Sequence, residues 1–377
     1  MNHYRPSVLN IDLDHLFYNY QVVAERHQNK KTIAVIKADA YGMGAVKVAH
    51  HLASKGVDFF AVATMDEALE LRGSGIQTDI LILGIIHPED INIAAQYSLS
   101  ITVPGELWLQ EALSHFKDGI VRVHVKIDTG MNRIGIRNAD EYSRVLDILK
   151  QHDGLLFEGV YTHFACADMP GESALHAYED FINIVDQHDK PTYIHSQNTA
   201  AALRYDMPGC NAVRLGIGLY GYYPSAFIKK ETDIKLKPVM QLVSEINFVK
   251  DVERGTEIGY GAHYKATDNE RIATIPMGYA DGLLRSMSGY KVRVQQQDAE
   301  IVGRVCMDQT MLKVNKEINV GTQVIIIDNQ PNTNQSMEVA EKQQQTISYE
   351  VLCNLGQRLP RIYHSEQETM VVNTLLK

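Results

Sequence analysis

One segment predicts how this chain folds: Thr32-Ile-Ala-Val-Ile-Lys37-Ala-Asp-Ala-Tyr41-Gly-Met-Gly44. It begins as a short apolar, β-branched run of the kind that forms a buried parallel strand, and it ends in a lysine and a Tyr-Gly-x-Gly turn. Lysine is almost never fully buried without a partner, so Lys37 either extends to the surface or has a function. Polar residues at the ends of other predicted strands favour a function.

The pattern of strand, turn and helix recurs along the chain. Eight strand candidates alternate with helices over roughly 200 residues, which predicts an α/β fold with a closed TIM-type (β/α)8 barrel. An open doubly wound sheet is the weaker alternative. In a closed barrel the functional groups lie at the carboxyl ends of the strands. The predicted strand ends here carry Lys37, Lys126, His163, Asn198 with Thr199, and Arg214.

A different pattern begins near Lys235, where helical periodicity ends and short alternating segments follow one another between turn signals. The pattern predicts a mostly antiparallel β domain over 235–377, after a barrel domain over 1–234. Residues 1–11 form a strand candidate that could join the C-terminal domain. Within that domain we expect a strand over Val305–Met311 and one helix over Tyr349–Arg358.

The composition limits the kind of ligand and the compartment. A chain of 377 residues exceeds the size of a single core, so two domains are expected. The net charge of −10 argues against nucleic-acid binding and favours a small-molecule substrate. The four cysteines show no paired spacing, and no apolar run has the length of a signal or membrane segment. We therefore expect a cytoplasmic protein without a membrane partner.

One glycine-rich motif and the histidines indicate which cofactors the chain could bind. Gly216–Gly221 matches GxGxxG by letter, but it closes the eighth repeat instead of opening a strand-turn-helix unit, so nicotinamide or flavin binding is not expected. As a loop after the last barrel strand it could bind a phosphate, with the hydroxyls of Tyr41 and Thr199 in reach.

The histidines form no dense ligand cluster, so no metal is expected. His163 could stack on a cofactor or fill the barrel mouth.

Arg133 and Tyr260 each have two interpretations from the residues alone. The planar guanidinium of Arg133 suits a substrate carboxylate, but Arg133 could also form a loop salt bridge with Asp128. Tyr260 stands between two glycines, which supply no packing partners, so it is either available for chemistry or part of a surface turn.

Nine motifs, in order and from both predicted domains, resemble those of the alanine racemases, which are fold-type III enzymes dependent on pyridoxal 5'-phosphate (PLP). The resemblance covers almost the full length of the chain. The motifs are Val35-Ile-Lys37-Ala-Asp-Ala-Tyr41-Gly-Met-Gly44, Lys126-Ile-Asp-Thr-Gly-Met-Asn-Arg133-Ile-Gly135, Tyr161-Thr-His163-Phe-Ala165, Asn198-Thr199-Ala200, Arg214-Leu-Gly216-Ile217, Gly259-Tyr260-Gly261, Gly278-Tyr279-Ala-Asp-Gly282, Cys306-Met307-Asp308-Gln309 and Pro360-Arg361.

The resemblance implies a set of cofactor-binding residues. Lys37 would hold PLP as a Schiff base, His163 would lie near its ring, and Arg214 would face the pyridine nitrogen. Arginine keeps its proton, so the ring would be a mild electron sink that favours racemisation over transamination. The residues expected around the phosphate are Tyr41, Thr199, Gly216, Ile217 and Tyr349, and Asn198 is a further expected cofactor-binding residue.

The resemblance also implies the reaction, the interconversion of L- and D-alanine, which supplies D-alanine for peptidoglycan. Lys37 and Tyr260 would act as bases on opposite faces of the substrate. Tyr260 would come from the partner subunit, so a homodimer with a shared active site is expected. The remaining residues with implied roles are Arg133, Met307 and Asp308 (substrate), Lys126 (a position that often carries a carbamate), and Tyr279 and Arg285 (support).

Three residues depart from the usual pattern of the family: Asn132, Leu215 and His263. Asn132 could alter the loop that positions Arg133, and His263 could affect substrate entry or Tyr260. Three rival functions are considered. The first is a serine or broad-specificity racemase that uses the same parts. The second is a non-catalytic PLP-binding protein of the single-barrel type, which should lack the β domain and Tyr260, and the third is a decarboxylase on the same barrel, which Arg214 disfavours.

Overall fold

Eight parallel strands close into a barrel in the computed structural model, which describes residues 3–376. The first strand pairs with both the second and the last, so the barrel has no free edge. This confirms the TIM-type barrel. Its strands are Lys31–Val35, Phe59–Val62, Asp79–Ile82, Ser100–Val103, Val121–Lys126, Leu155–Tyr161, Tyr193–His195 and Ala212–Leu215. Residues 1, 2 and 377, at the outer ends of the two predicted domains, lie outside the described residues.

Helices connect the barrel strands, and side-chain caps begin several of them. Thr64 and Glu67 form a capping box, and Asn138 and Asn198 accept hydrogen bonds from the first turns of their helices. The helices are Leu13–Arg26, Ala45–Ser54, Met65–Gly73, Ile91–Gln96, Glu106–His115, Ala139–Lys150, Ser173–Val185, Thr199–Arg204 and Ala226–Glu231, with 3-10 turns at Pro88–Asp90 and Ile217–Tyr220. In the described part of the chain, no helix combines the length and the apolarity needed to cross a membrane.

The chain divides into two compact units. The barrel unit consists of residues 17–40 and 44–236, and the β unit consists of the described residues up to 16, residues 41–43 and those from 237 onward. Val8–Asp12 belongs to the β unit, where it pairs antiparallel with Met240–Glu245 and parallel with Arg361–His364.

A ten-stranded sheet forms the β unit within the described residues, and all but one of its strand pairs are antiparallel, which confirms the mostly antiparallel prediction. In spatial order the strands are Phe248–Val252, Glu270–Ile275, Thr310–Val314, Gln297–Val302, Lys291–Val294, Gln323–Ile327, Met240–Glu245, Val8–Asp12, Arg361–His364 and Thr369–Val372. A separate hairpin pairs Glu257–Ile258 with Tyr264–Lys265. The helical segments are Met337–Gln344, Ser348–Cys353 and the 3-10 turns Tyr260–Ala262, Tyr279–Asp281, Arg285–Met287 and Thr374–Leu376.

Two expected elements of this unit are wrong in their bounds. The strand expected over Val305–Met311 begins only at Thr310, because a turn in which Cys306 N–H donates to Gln309 O, at 3.0 Å, precedes it. The helix expected over Tyr349–Arg358 ends at Cys353. Beyond it, Gly356 N–H donates to Asp281 O at 3.0 Å, so a tertiary contact replaces the helical hydrogen bond.

Candidate active site

Lys37 lies just past the end of the first barrel strand, at the start of a left-handed backbone turn. The next four residues, Ala38 to Tyr41, have φ between 52° and 54°. A non-glycine residue in this conformation costs ~1–2 kcal/mol. Such a run persists only where the surroundings hold it, and strain of this kind clusters at functional sites.

Two carboxylates hold this turn. Glu67 accepts hydrogen bonds from Ala38 N–H and from Ala63 N–H, each at 2.6 Å, and so ties the ends of the first two barrel strands together. Asp39 accepts from Ala45 N–H at 2.7 Å, where the next helix begins. Glu67 was not predicted from the sequence as a site residue. Its only signal is the capping box, which is common to many helix starts.

Arg214 is a buried cation at the end of the last barrel strand, only 3% exposed. Its guanidinium donates to His195 Nδ1 at 2.7 Å, to Thr162 O at 2.7 Å and to Ser196 O at 3.2 Å. Burial lowers its pKa to about 10, so the side chain keeps its charge at neutral pH. These carbonyl and imidazole acceptors fix the guanidinium in one orientation.

A hydrogen-bonded chain runs from Arg214 through the barrel core to a carboxylate. His195 Nε2 is 2.9 Å from His124 Nδ1, and His124 Nε2 is 3.0 Å from Glu158 Oε2. Burial lowers the pKa of both histidines, so both rings are neutral. Because Arg214 can only donate, His195 must carry its proton on Nε2 and His124 on its own Nε2. The chain thereby connects the charge of Arg214 with that of Glu158.

The ring of His163 is influenced by the charges of four cations of the barrel unit. Its Nδ1 is 3.4 Å from an Arg214 nitrogen. Burial, and then the charges of Arg214, Arg133, Lys126 and Lys37, hold its pKa well below the ordinary range, so the ring is neutral. The structure therefore brings these five predicted residues together in one region.

Lys126 is the most unusual of these cations, because it is only 2% exposed. Its Nζ donates to Ile127 O at 2.7 Å and lies 5.4 Å from the centroid of the Tyr161 ring. Burial, followed by the charge of Arg214, lowers its pKa to about 7, although Asp128 acts in the opposite direction. Burial therefore favours the uncharged, nucleophilic form of this amine near neutral pH.

The loop after Lys126 presents Arg133 to solvent. Among the described residues, Asp128 does not pair with Arg133 but accepts hydrogen bonds from the N–H groups of Gly130 and Asn132, at 3.2 and 3.0 Å. Asn132 is left-handed with φ of 54°, a conformation that asparagine tolerates better than most residues. The departure at Asn132 therefore fits the loop, and Arg133 is exposed.

The ends of the last two barrel strands form a small polar cradle. Asn198 caps the helix Thr199–Arg204, and Thr199 Oγ1 accepts from Gly216 N–H at 2.9 Å. A Cβ on Gly218 would lie 2.8 Å from Thr199 Cγ2, so the two loops approach closely only because this position is glycine. Ile217 is buried beside it.

The other predicted site residues lie in the β unit. Tyr260, Met307 and Tyr279 are exposed by 72%, 52% and 40%. The loops of Tyr279 and Met307 are adjacent, because Tyr279 N–H donates to Cys306 O at 3.0 Å. Arg285 is exposed and makes no hydrogen bond to Tyr260 or Tyr279 among the described residues. The rings of Tyr41 and Tyr349 lie 6.1 Å apart.

A buried carboxylate organises the loops of Tyr279 and Asp308, and the sequence analysis did not assign it a role. Asp281 is fully buried, and its two carboxylate oxygens accept hydrogen bonds from Nη1 and Nη2 of Arg5, at 2.8 and 2.9 Å. Arg358 lies 3.6 Å from Asp281 and 2.9 Å from Asp308, so it connects the two loops. The only signal was the position of Asp281 inside a recognised motif.

A closed barrel with a lysine and three further cations around one neutral histidine is the architecture of a barrel enzyme that binds an anionic ligand. The family model for the alanine racemase N-terminal domain matches residues 11–224, and the model for the C-terminal domain matches residues 239–363. The chain therefore belongs to the alanine racemase family, and it is an enzyme of the isomerase class.

Relatives match over the whole length. The alanine racemase of Staphylococcus saprophyticus is 49% identical over 378 residues, which is 100% of this chain and 99% of the relative. The crystal structure of alanine racemase from Bacillus anthracis with bound L-Ala-P has a TM-score of 0.95 at 36% identity, with 100% of both chains covered. A histidine racemase from Leuconostoc mesenteroides has a TM-score of 0.90 at 29% identity, covering 97% of this chain and 99% of its own.

Proposed function

We propose that this enzyme interconverts L- and D-alanine with PLP as its cofactor, and so supplies D-alanine for peptidoglycan. The observation that carries the proposal is that Lys37, Lys126 and Arg214 all lie at or next to the carboxyl ends of barrel strands, where their charges and that of Arg133 lower the pKa of His163. Such a set of cations suits a ligand with a phosphate and a carboxylate. The full-length similarity to alanine racemases supports alanine as the substrate.

The residues present fit PLP. Lys37 offers a half-buried primary amine for the aldehyde carbon, and the strain of the turn behind it favours one placement of that amine. The cradle of Asn198, Thr199, Gly216 and Ile217 suits a phosphate, since it lies in the loops after the last two barrel strands. Tyr41 and Tyr349 stay predictions as further phosphate ligands.

When bound, PLP supplies an electron-withdrawing ring that makes the α-hydrogen of the amino acid acidic. Arg214 would hold the ring nitrogen of the cofactor and would keep its own proton, because its pKa is about 10. It would therefore donate a hydrogen bond without protonating that nitrogen. The chain to Glu158 stabilises this charged, fixed guanidinium.

Racemisation needs one proton-transferring group on each face of the α-carbon. We assign the amine of Lys37 to one face and the phenol of Tyr260 to the other. The guanidinium of Arg133 would bind the substrate carboxylate, with Met307 and Asp308 beside it. In each direction one base takes the α-hydrogen from its own face and the other base delivers a proton to the opposite face, which inverts the centre.

A homodimer completes the proposal. Tyr260, Met307 and Tyr279 expose large side chains on loops of the β unit, and exposed aromatic and methionine side chains are typical of protein interfaces. We propose that a second copy of the chain covers these loops and that the phenol of Tyr260 enters the active site of the partner subunit. Tyr279 and Arg285 would support it there.

We expect kcat/KM for L-alanine to exceed that for L-serine by at least about 10-fold, since the hydroxyl of serine must lose its water where alanine would place only a methyl group. The test is a racemisation assay with alanine, serine and histidine under the same conditions. The similarity to a histidine racemase motivates the second candidate, a broad-specificity racemase. Equal kcat/KM values for alanine and serine would favour that candidate, and no racemisation of any amino acid would exclude both.

Lys126 is proposed to carry a carbamate, in which its neutral amine attacks the carbon of CO2 and releases one proton. The resulting anion would pair with Arg133 instead of repelling it. Because the pKa of Lys126 is about 7, the neutral amine increases as the pH rises through that value. We expect a carbamate signal in carbon-13 NMR that grows from pH 6 to pH 8 at constant dissolved 13CO2.

The matched control for the carbamate is Lys126→Met, which should lose this signal. Lys47→Met, on the helix Ala45–Ser54, should keep it. A signal that persists in Lys126→Met would assign the carbamate to another amine and contradict the proposal.

A further inference from the structure

The hairpin that carries Tyr260 is too small to hold its own position. It pairs Glu257–Ile258 with Tyr264–Lys265 and lies outside the ten-stranded sheet of the described residues. Between the paired residues, Gly259, Gly261 and Ala262 all have positive φ, from 51° to 77°. A two-stranded hairpin is at best marginally stable by itself. Within one chain, the position of Tyr260 therefore depends on contacts between the hairpin and the rest of the β unit.

One set of contacts is apolar. Ile258 belongs to a small buried cluster with Ile272 and Val302, and the ring of Tyr264 packs against that cluster. Apolar burial is not directional, so these contacts keep the hairpin on the sheet without fixing its angle.

The second set of contacts is polar and converges on Glu270, which is 6% exposed. Its carboxylate accepts hydrogen bonds from Tyr264 Oη at 2.7 Å and from Lys313 Nζ at 2.7 Å. It also accepts from the N–H and the hydroxyl of Thr267, both at 3.1 Å. Glu270 begins a sheet strand, and Lys313 lies on the neighbouring strand. The carboxylate therefore connects the end of the hairpin to two strands of the sheet.

The charge of this carboxylate is secure. Burial alone would raise the pKa of Glu270, but the hydrogen bonds from Lys313, Tyr264 and Thr267 lower it to about 2. Hydrogen bonds to an ionised acceptor are shorter and roughly twice as strong as neutral ones. Four of them converge on Glu270 from three residues, so they fix the position of the Tyr264 side chain relative to the sheet.

We propose that Glu270 is a positioning residue for Tyr260: through Tyr264 it fixes the hairpin at the angle from which the Tyr260 phenol reaches the α-carbon. This inference rests on the proposed role of Tyr260 as one of two bases. It assigns the two bases different structural supports. Lys37 depends on the turn held by Glu67 and Asp39, and Tyr260 depends on Glu270.

The test measures exchange of the α-hydrogen in deuterated water, separately for each enantiomer, with the full-length holoenzyme. Glu270→Gln keeps the shape of the side chain but removes its charge. We expect it to slow exchange of L-alanine, the enantiomer assigned to Tyr260, by about 10-fold or more, because small misplacements of a reacting group are costly. Exchange of D-alanine should stay within about two-fold. Tyr264→Phe should give the same asymmetry with a smaller loss.

Glu253→Gln is the matched control, because Glu253 is exposed in the turn before the hairpin. It should change the exchange rate of neither L-alanine nor D-alanine. Equal slowing of both enantiomers by Glu270→Gln would overturn the inference, because loss of fold affects both bases alike. If that variant does not fold, Tyr264→Phe decides the question by the same comparison.

The variant Tyr260→Phe distinguishes failure of this inference from failure of the proposed function. If Tyr260→Phe itself slows exchange of both enantiomers equally, the proposed function fails. If Tyr260→Phe slows exchange of L-alanine selectively but Glu270→Gln and Tyr264→Phe do not, the role of Glu270 fails and the proposed function stands.

Discussion

Lys37→Ala is expected to abolish covalent capture of PLP and to lower kcat/KM for racemisation by at least about 10⁴-fold. The variant removes both the amine that holds the cofactor and one of the two bases, and each loss is large. The visible absorbance of the purified protein reports the covalent bond. Reduction with borohydride followed by mass spectrometry identifies the residue that carries the cofactor.

Lys31→Ala is the matched control, because Lys31 begins the same barrel strand at its opposite end and forms a salt bridge with Asp58. Exposed pairs of this type contribute ~0–1 kcal/mol, so the control should keep its absorbance and activity. Added methylamine should restore part of the activity of Lys37→Ala, which a general loss of structure would not allow. A Lys37→Ala protein that keeps the covalent absorbance would refute the assignment.

The barrel could be predicted from the sequence because buried parallel strands are nearly continuous apolar runs. All four residues of Phe59–Val62 are buried, and so are those of Ala212–Leu215. Helix caps such as Thr64 separate one repeat from the next. These signals are local, so a single sequence contains them.

The conformation after Lys37 could not be predicted. Alanine, aspartate and tyrosine all prefer right-handed conformations, yet Ala38 to Tyr41 are left-handed. The turn is held by Glu67, whose carboxylate accepts a hydrogen bond from Ala38 N–H. Glu67 lies 30 positions after Lys37 along the chain. Local propensity is overridden here by a tertiary hydrogen bond.

The hydrogen bonds that connect Arg214 through two histidines to Glu158 could not be predicted from the sequence either. Glu158 opens a segment that looks like an ordinary strand, and His124 looks like one polar residue among apolar ones. Their contact depends on barrel register, in which His124 lies opposite Gly159. A Cβ on Gly159 would lie 2.3 Å from His124 Nδ1, so this glycine makes room for the ring. The assigned roles of Lys37, Arg214 and Tyr260 themselves stay predictions that exchange and capture experiments must test.

Tyr260→Phe is expected to slow α-hydrogen exchange of L-alanine by about 10²-fold or more while exchange of D-alanine continues. The phenyl ring keeps the shape of the side chain and removes only the hydroxyl, and one general acid–base group contributes about 10²–10⁴-fold. Because Tyr260 is 72% exposed in the single chain, the substitution should not unfold the β unit. Tyr97→Phe, an exposed tyrosine of the barrel unit, is the control and should change neither rate.

Exchange rather than racemisation must be measured, for a thermodynamic reason. L- and D-alanine have equal free energies in water, so kcat/KM must be the same in both directions for any variant, however asymmetric its bases are. Racemisation by Tyr260→Phe should therefore fall equally in both directions. Isotope exchange escapes this constraint, because a single remaining base can remove and return a proton on one face. Equal slowing of exchange for both enantiomers would mean that one group serves both faces, and Tyr260 would lose its assigned role.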